Sequence, residues 1–192
     1  IALPVMQAKQ QSFNLPDAAL FQAIIFTSRH AVAALADLSK YVSLRSLPVY
    51  AVGRSTALAA RQAGFDKVTS GRSNGEGLLP LIAADLRQDA GKILWPCATI
   101  VSFDIVSHLA EFGFSVQQIP VYAMIPTVGH ATNLSARLTA CSSAAVLAMS
   151  ARSMALFSQM LANPEFLNQR KIITVIAGST LIAAAAGSGW AN

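Results

Sequence analysis

Charge is scarce in this sequence. Of 192 residues only 12% are Asp, Glu, Lys or Arg, while 54% are hydrophobic. With a mean hydropathy of +0.49, such a chain buries a large fraction of itself and is not disordered. Lys and Arg outnumber the acids 14 to 9, giving a formal charge of +5, yet they form no run. Arg29, Arg45, Arg54, Arg61, Arg72, Arg87, Arg137 and Arg152 stand apart from one another. That pattern argues against a nucleic-acid-binding stripe and fits either a small polyanionic substrate or a basic solvated surface. Cysteine is almost absent. Cys97 and Cys141 lie far apart with no CxxC spacing, so free thiols in a reducing compartment are expected. His30, His108 and His130 are not at metal-ligand spacing, and no metal site is expected.

One long stretch, 172–192, has no charge at all and is long enough to span a bilayer. Gly178, Ser179, Thr180, Gly187, Ser188 and Gly189 interrupt it. A β-rich run over 172–176 followed by an alanine-rich helix over 181–186 accounts for it better than a membrane span. No export signal is evident, and a cytoplasmic protein without membrane or nucleic-acid partners is expected. The length allows one large domain or two small ones.

Organisation begins at AIIFTSRHAVAALADL, residues 23–38. The apolar run Ala23 to Phe26 ends in Thr27-Ser28, and Ala31, Val32, Leu35 and Leu38 follow at helical spacing. This reads as strand, polar turn, helix. The two hydroxyls sit where the first backbone N–H groups of the helix lack partners, to cap them or to leave them for an anion. The same alternation runs along the whole chain. Strands are predicted over 47–52, 67–70, 92–96, 145–149 and 172–176, and an extended segment over 114–124 that should leave the sheet near Pro120. Helices are predicted at 57–63, 78–86, 101–112, 134–138, 153–161 and 181–186, with joints at Pro126 and Gly129. Crossovers too long for hairpins imply a parallel sheet with helices on its faces. The loop Gly71 to Gly77 lacks the Gly-Lys-Ser/Thr ending of a phosphate loop.

Two stretches recur in order. AVLAMSARSMALFSQM (145–160) repeats the pattern of 23–38, and TVIAGSTLIAAAAGSG (174–189) that of VYAVGRSTALAARQAG (49–64). Ser28 to Thr56 spans 28 residues and Ser150 to Thr180 spans 30. Matching pairs in matching order predict duplicated α/β lobes; small residues at every βα turn would also make any two such units look alike.

These residues resemble the uroporphyrinogen-III synthase family. FTSRHAV (26–32) is similar to its FTS-P-x-AV motif, with Arg29 in place of proline. AVGRSTALAARQAGF (51–65) resembles AVG-x-x-T-A-x-x-L followed by G-F, SNGEGLL (73–79) resembles N-A-E-G-L, and PVYAM (120–124) resembles V-Y-x-T with Met124 in place of threonine. TVIAGSTLIAAAA (174–186) is similar to A-x-I-G-P-T-T-A-x-A-L. The resemblance implies an α/β fold of two flavodoxin-like parallel-sheet lobes joined by a two-segment linker. Residues 1–11 and 121–127 would be the linker, 12–120 a complete central lobe and 128–192 part of the second. It also leads one to expect a further βα unit before Ile1, and a strand and helix after the last glycine, that this sequence does not contain.

The activity implied is cyclisation of hydroxymethylbilane to uroporphyrinogen III, with loss of water and inversion of the last pyrrole ring, without cofactor or metal. Because the substrate also closes unaided to the wrong isomer, holding it in one folded shape would be the main task. By the resemblance, Tyr122 is the candidate general acid. The substrate's eight carboxylates call for anion-binding groups at helix starts: Ser28, Thr56, Ser150 and Thr180, with Arg29, Arg54 and Arg152 beside them. Each hydroxyl could equally be a plain helix cap, and Tyr122 could equally pack at a junction. A monomer is expected. The competing readings are a non-catalytic synthase-like module and a two-lobed small-molecule binding protein.

Overall fold

The structure, a computed structural model, describes residues 4–36, 39–72, 74–127 and 130–191. Leu38, Ser73 and Gly129 of the sequence reading lie outside the described residues. The chain divides into two compact units, Ala8–Met124 and Ile1–Gln7 with Ile125–Asn192. No described helix is long and apolar enough to cross a membrane.

The larger unit is a parallel-dominated α/β sheet. Its strands are β1 (Met6–Gln10), β2 (Phe21–Phe26), β3 (Val49–Ala51), β4 (Val68–Ser70), β5 (Lys92–Ala98) and β6 (Val116–Pro126), in the spatial order β1-β6-β5-β2-β3-β4. β1 and β6 continue into the smaller unit. Pairs β2–β3, β2–β5, β3–β4 and β5–β6 are all parallel. Gln11 N–H donates to the Val121 carbonyl and Thr127 N–H to that of Val5, both at 3.0 Å, so β1 lies antiparallel on the edge. Counted from β2, the parallel strands stand in the order 3-2-1-4-5. This is the doubly wound half-sheet and differs from the 2-1-3-4-5 order of flavodoxin.

That order follows from handed crossovers. Right-handed connections running outward from β2 to β3 and β4 place their helices on one face; the return to β5 and β6 places them on the other. Helices α1 (Arg29–Ala36) and α2 (Gly53–Gln62) accordingly cover the first face, and α3 (Leu79–Asp85) and α4 (Ile105–Glu111) the second. Ile24 and Phe26 pack with Val32, Leu35 and Ala60, whereas Ala23, Ile25 and Trp95 pack with Ile82, Ile105 and Leu109. With both faces covered, β2 is apolar without alternation, as a buried parallel strand should be. Each large aliphatic side chain so buried stabilises by about 1.5–3 kcal/mol relative to exposure.

The extended segment does not leave the sheet at Pro120. β6 pairs with β5 through Cys97↔Pro120, and the register then shifts so that Ala98 faces Tyr122. Val121 is the extra residue. A bulge accommodates a proline that cannot donate to the ladder, and it turns the strand locally. Here Val121 and Tyr122 are both buried, in succession.

The smaller unit has α5 (His130–Thr139), β7 (Ala144–Ala148), α6 (Ala151–Met160), α7 (Leu167–Arg170), β8 (Ile173–Ala177) and α8 (Thr180–Ala186). β7 and β8 pair in parallel, and Ala191 N–H donates to the Ile173 carbonyl at 3.0 Å. Ala148, Met154, Phe157, Leu161 and Ile173 form its core. The opposite sheet face leaves Leu147, Met149 and Ile176 exposed.

Strand register corrects the repeat by one residue. Phe26 faces Ala51, and Ala148, its counterpart, faces Ala177. Gly53 therefore corresponds to Ser179 and Arg54 to Thr180, whereas aligning the glycines had put Gly53 opposite Gly178. Thr56 then matches Ile182, two residues beyond Thr180, with which the spacing from Ser28 and Ser150 pairs it.

Candidate active site

The strand order reverses between β2 and β5, and in open α/β sheets ligands bind in the crevice beyond the carboxyl ends at that point. A crevice of ≈ 370 Å³ lies there, its walls including Thr27, Ser28, Asn74, Trp95, Phe103 and Tyr122. Its polar groups are hydroxyls and an amide; no charged side chain among the described residues lines it. A more open hollow of ≈ 670 Å³ lies at the amino ends of β5 and β6, beside the exposed Arg87–Asp89 ion pair, away from the switch point.

Ser28 caps α1. Its Oγ accepts from the His30 N–H at 3.2 Å, and its carbonyl from Ala31 N–H at 3.1 Å. One orphan donor of the helix is thereby satisfied, while the same hydroxyl lines the crevice. Arg29, the first helical residue, is exposed. The His30 ring lies 5.6 Å from that of Tyr122, tilted by 50°. Burial, and secondarily the Arg29 guanidinium, hold the His30 pKa below its ordinary value, because both disfavour the imidazolium.

Tyr122 is 7% exposed and lines the crevice from β6. The bulge that accommodates Pro120 positions it, and its carbonyl accepts from Thr99 N–H at 2.9 Å. Trp95, on β5, is buried and its Nε1–H donates to Thr27 Oγ1 at 3.3 Å. Gly75 enters the crevice where a Cβ would stand 2.6 Å from Phe103 Cδ1; only glycine fits without moving that ring. Phe103 in turn stacks on His108 at 4.5 Å.

The second turn differs from expectation. Ser55 and Thr56 do not open α2; Gly53 does, at φ +71°, after a Val52 cap without a side-chain bond. Thr56 is 4% exposed within the helix and does not line the crevice, and Arg54 is exposed. In the smaller unit Ser150 caps α6, its Oγ accepting from Ser153 N–H at 3.4 Å. Arg152 is exposed on that helix. The cap of α8 is Ser179, accepting from Ile182 N–H at 3.3 Å, and Thr180 is the first helical residue. Of the residues singled out in the sequence, the crevice gathers Thr27, Ser28 and Tyr122. Sequence reasoning did not place Trp95, Asn74, Gly75 or the loop 100–103 in it. The strand-order rule would have pointed to that loop, which follows β5. Among the described residues no group of three His, Cys, Asp or Glu side chains could hold a metal.

The family model described as "Uroporphyrinogen-III synthase HemD" matches residues 1–192. The chain belongs to the uroporphyrinogen-III synthase family. Among solved structures, the uroporphyrinogen-III synthetase of Helicobacter pylori is similar with a TM-score of 0.68 at 22% identity, covering 95% of this chain and 79% of that one. A mutant uroporphyrinogen III synthase from the extremely thermophilic bacterium Thermus thermophilus is similar with a TM-score of 0.57 at 19% identity, covering 95% and 76%. At these identities the likeness concerns the fold. No curated protein matches the chain.

Proposed function

We propose that the crevice at the carboxyl ends of β2 and β5 holds hydroxymethylbilane while this chain closes it to uroporphyrinogen III. As a member of the uroporphyrinogen-III synthase family, the chain is a cyclising lyase of tetrapyrrole and haem biosynthesis. The reading rests on one observation above the rest: a neutral, hydroxyl-lined crevice at the sheet's switch point with Tyr122 in its wall. Hydroxyl and amide groups can bind carboxylates, while the aromatic walls suit the pyrrole rings.

In this mechanism Tyr122 protonates the departing hydroxyl on ring A, which leaves as water. The pyrrole nitrogen supplies the electron pair and an azafulvene forms. Ring D attacks it to give a spiro-pyrrolenine, whose rearrangement inverts that ring. A phenol is a weak proton donor at neutral pH, so orientation contributes more than acid strength. Ser28 contacts a carboxylate in this reading. Arg29 and Arg54 at the starts of α1 and α2, and Ser150, Arg152 and Thr180 at the starts of α6 and α8, are further carboxylate partners. Thr56 is left out because its side chain is buried in α2. The two units are then the two lobes of the family fold, with 1–11 and 121–127 as the linking segments, and the protein is a cytoplasmic monomer.

Incubation with freshly prepared hydroxymethylbilane, followed by separation of the isomers, tests the reading. Type III product is expected, and type I alone would overturn it. Tyr122→Phe should slow type III formation by up to about 100-fold, the low end of general-acid assistance. An unchanged rate removes Tyr122 from the mechanism.

A further inference from the structure

Trp95 is 1% exposed, one of the largest fully buried side chains in the protein. Its single polar atom is a donor and can do nothing but donate; buried, it must find an acceptor. It finds Thr27 Oγ1, 3.3 Å away and 68 residues distant in sequence. Thr27 stands at the end of β2, half-buried, in the wall of the crevice.

A threonine hydroxyl carries one hydrogen and two lone pairs. Once a lone pair is taken by the indole N–H, the hydroxyl hydrogen cannot point at Trp95. Among the described residues no acceptor takes that hydrogen. Ser28 repeats the logic, its Oγ accepting from the His30 backbone N–H. Two adjacent hydroxyls thus each accept from a protein donor, and among the described residues neither has its own hydrogen taken.

We infer that Trp95 is a positioning residue that biases the Thr27 hydroxyl toward donating a hydrogen bond to a substrate carboxylate. In a freely rotating hydroxyl the rotamer whose hydrogen points at Trp95 leaves only lone pairs elsewhere, which repel an anion; the indole N–H removes that rotamer. The repeat isolates the feature. Met149, with no hydroxyl, occupies the place of Thr27 in the smaller unit, three-quarters exposed and next after the last residue of β7. The inference rests on the reading of the crevice as the polycarboxylate site.

Trp95→Phe keeps the aromatic bulk and removes only the N–H. It should raise KM for hydroxymethylbilane by about 3- to 10-fold, the span of one ordinary hydrogen bond, and leave kcat within about twofold. A purely structural tryptophan would do the reverse, lowering the active fraction and leaving KM in place. Thr27→Val should raise KM by at least as much, Thr27→Ser should recover most of that loss, and Trp95→Phe added to Thr27→Val should change KM no further. An unchanged KM in Trp95→Phe, or multiplicative effects in the double variant, overturns the inference.

Two measurements need no turnover. In a ¹⁵N-labelled protein, which has two tryptophans, Thr27→Val should move the Trp95 indole N–H resonance and leave that of Trp190. Binding of the octacarboxylate uroporphyrin III, followed by fluorescence, should weaken by the same factor in Trp95→Phe and Thr27→Val. If Trp95→Phe does not fold, the contrast between Thr27→Val and Thr27→Ser in this titration decides. Equal affinity in those two overturns the inference. Type I product alone with unequal affinities overturns the proposed reaction and leaves the donor assignment standing.

Discussion

The β2–α1 and β7–α6 turns share a sequence pattern and a cap, and differ in almost everything around them. Ser28 and Ser150 both accept a backbone N–H of the helix they open. Behind Ser28 is a strand buried on both faces, flanked by β3 and β5. Behind Ser150 is a strand buried on one face, with Leu147 67% and Met149 75% exposed on the other. A local motif therefore secures a local helix start. Whether that start becomes a site depends on the neighbours: β5 brings Trp95 to Thr27, and β6 brings Tyr122 to His30.

The largest test of this contrast is in the core. Ile25 is fully buried between β2 and the α3–α4 layer, so Ile25→Ala should cost about 2–5 kcal/mol by lost transfer energy and residual cavity. Leu147, its counterpart in the repeat, is exposed, and Leu147→Ala should stay within about 0.5 kcal/mol. Denaturant unfolding of the two variants compares them. Equal losses would mean that the outer face of β7 is covered in solution.

Next comes the glycine pair. Gly53 opens α2 at φ +71°, in the left-handed region, whereas Gly178 has no positive φ and room for a Cβ at ordinary contact distance. Gly53→Ala should destabilise by about 1–2 kcal/mol, and Gly178→Ala should be close to neutral. If both are neutral, α2 starts differently from the turn described.

The capping pair is smaller. Replacing Ser28 or Ser150 by alanine should cost about 1 kcal/mol each, and by glycine only a few tenths. Glycine separates cap from contact: Ser28→Gly keeps near-native stability yet should raise KM for hydroxymethylbilane. An unchanged KM would reduce Ser28 to a cap.

These pairs also show what the sequence carried. The alternation of strands and helices was legible because parallel strands covered on both faces are plain apolar runs, as in FQAIIF of β2. Ser28 was legible because a cap is a local device, and Tyr122 because PVYAM keeps part of the linker motif. The one-residue slip in the second repeat was not, since glycine, serine and threonine at a turn suit several registers and only the β7–β8 pairing selects one. Pro120 argued for leaving the sheet. The structure absorbs it in a bulge, which depends on how β5 and β6 meet. The Trp95–Thr27 bond joins strands 68 residues apart, and no periodicity announces it.

The last contrast is His30 against its counterpart in the repeat, Arg152. His30 titrates, and burial followed by Arg29 lowers its pKa. The unfolded chain, with an ordinary value of about 6.5, therefore takes up this proton before the folded one does. Between that value and the lower folded value the unfolded state binds more protons, so stability falls as pH drops through this window and is unaffected above it. Ala151 stands in the smaller unit where Arg29 stands in the larger one, which makes Arg29→Ala the natural substitution. Followed by NMR, the His30 midpoint should lie below 6.5 in the parent and rise part of the way in Arg29→Ala, burial keeping the rest. A midpoint unmoved by Arg29→Ala would leave burial as the whole cause, and one at the ordinary value would place the His30 ring in water and away from Tyr122.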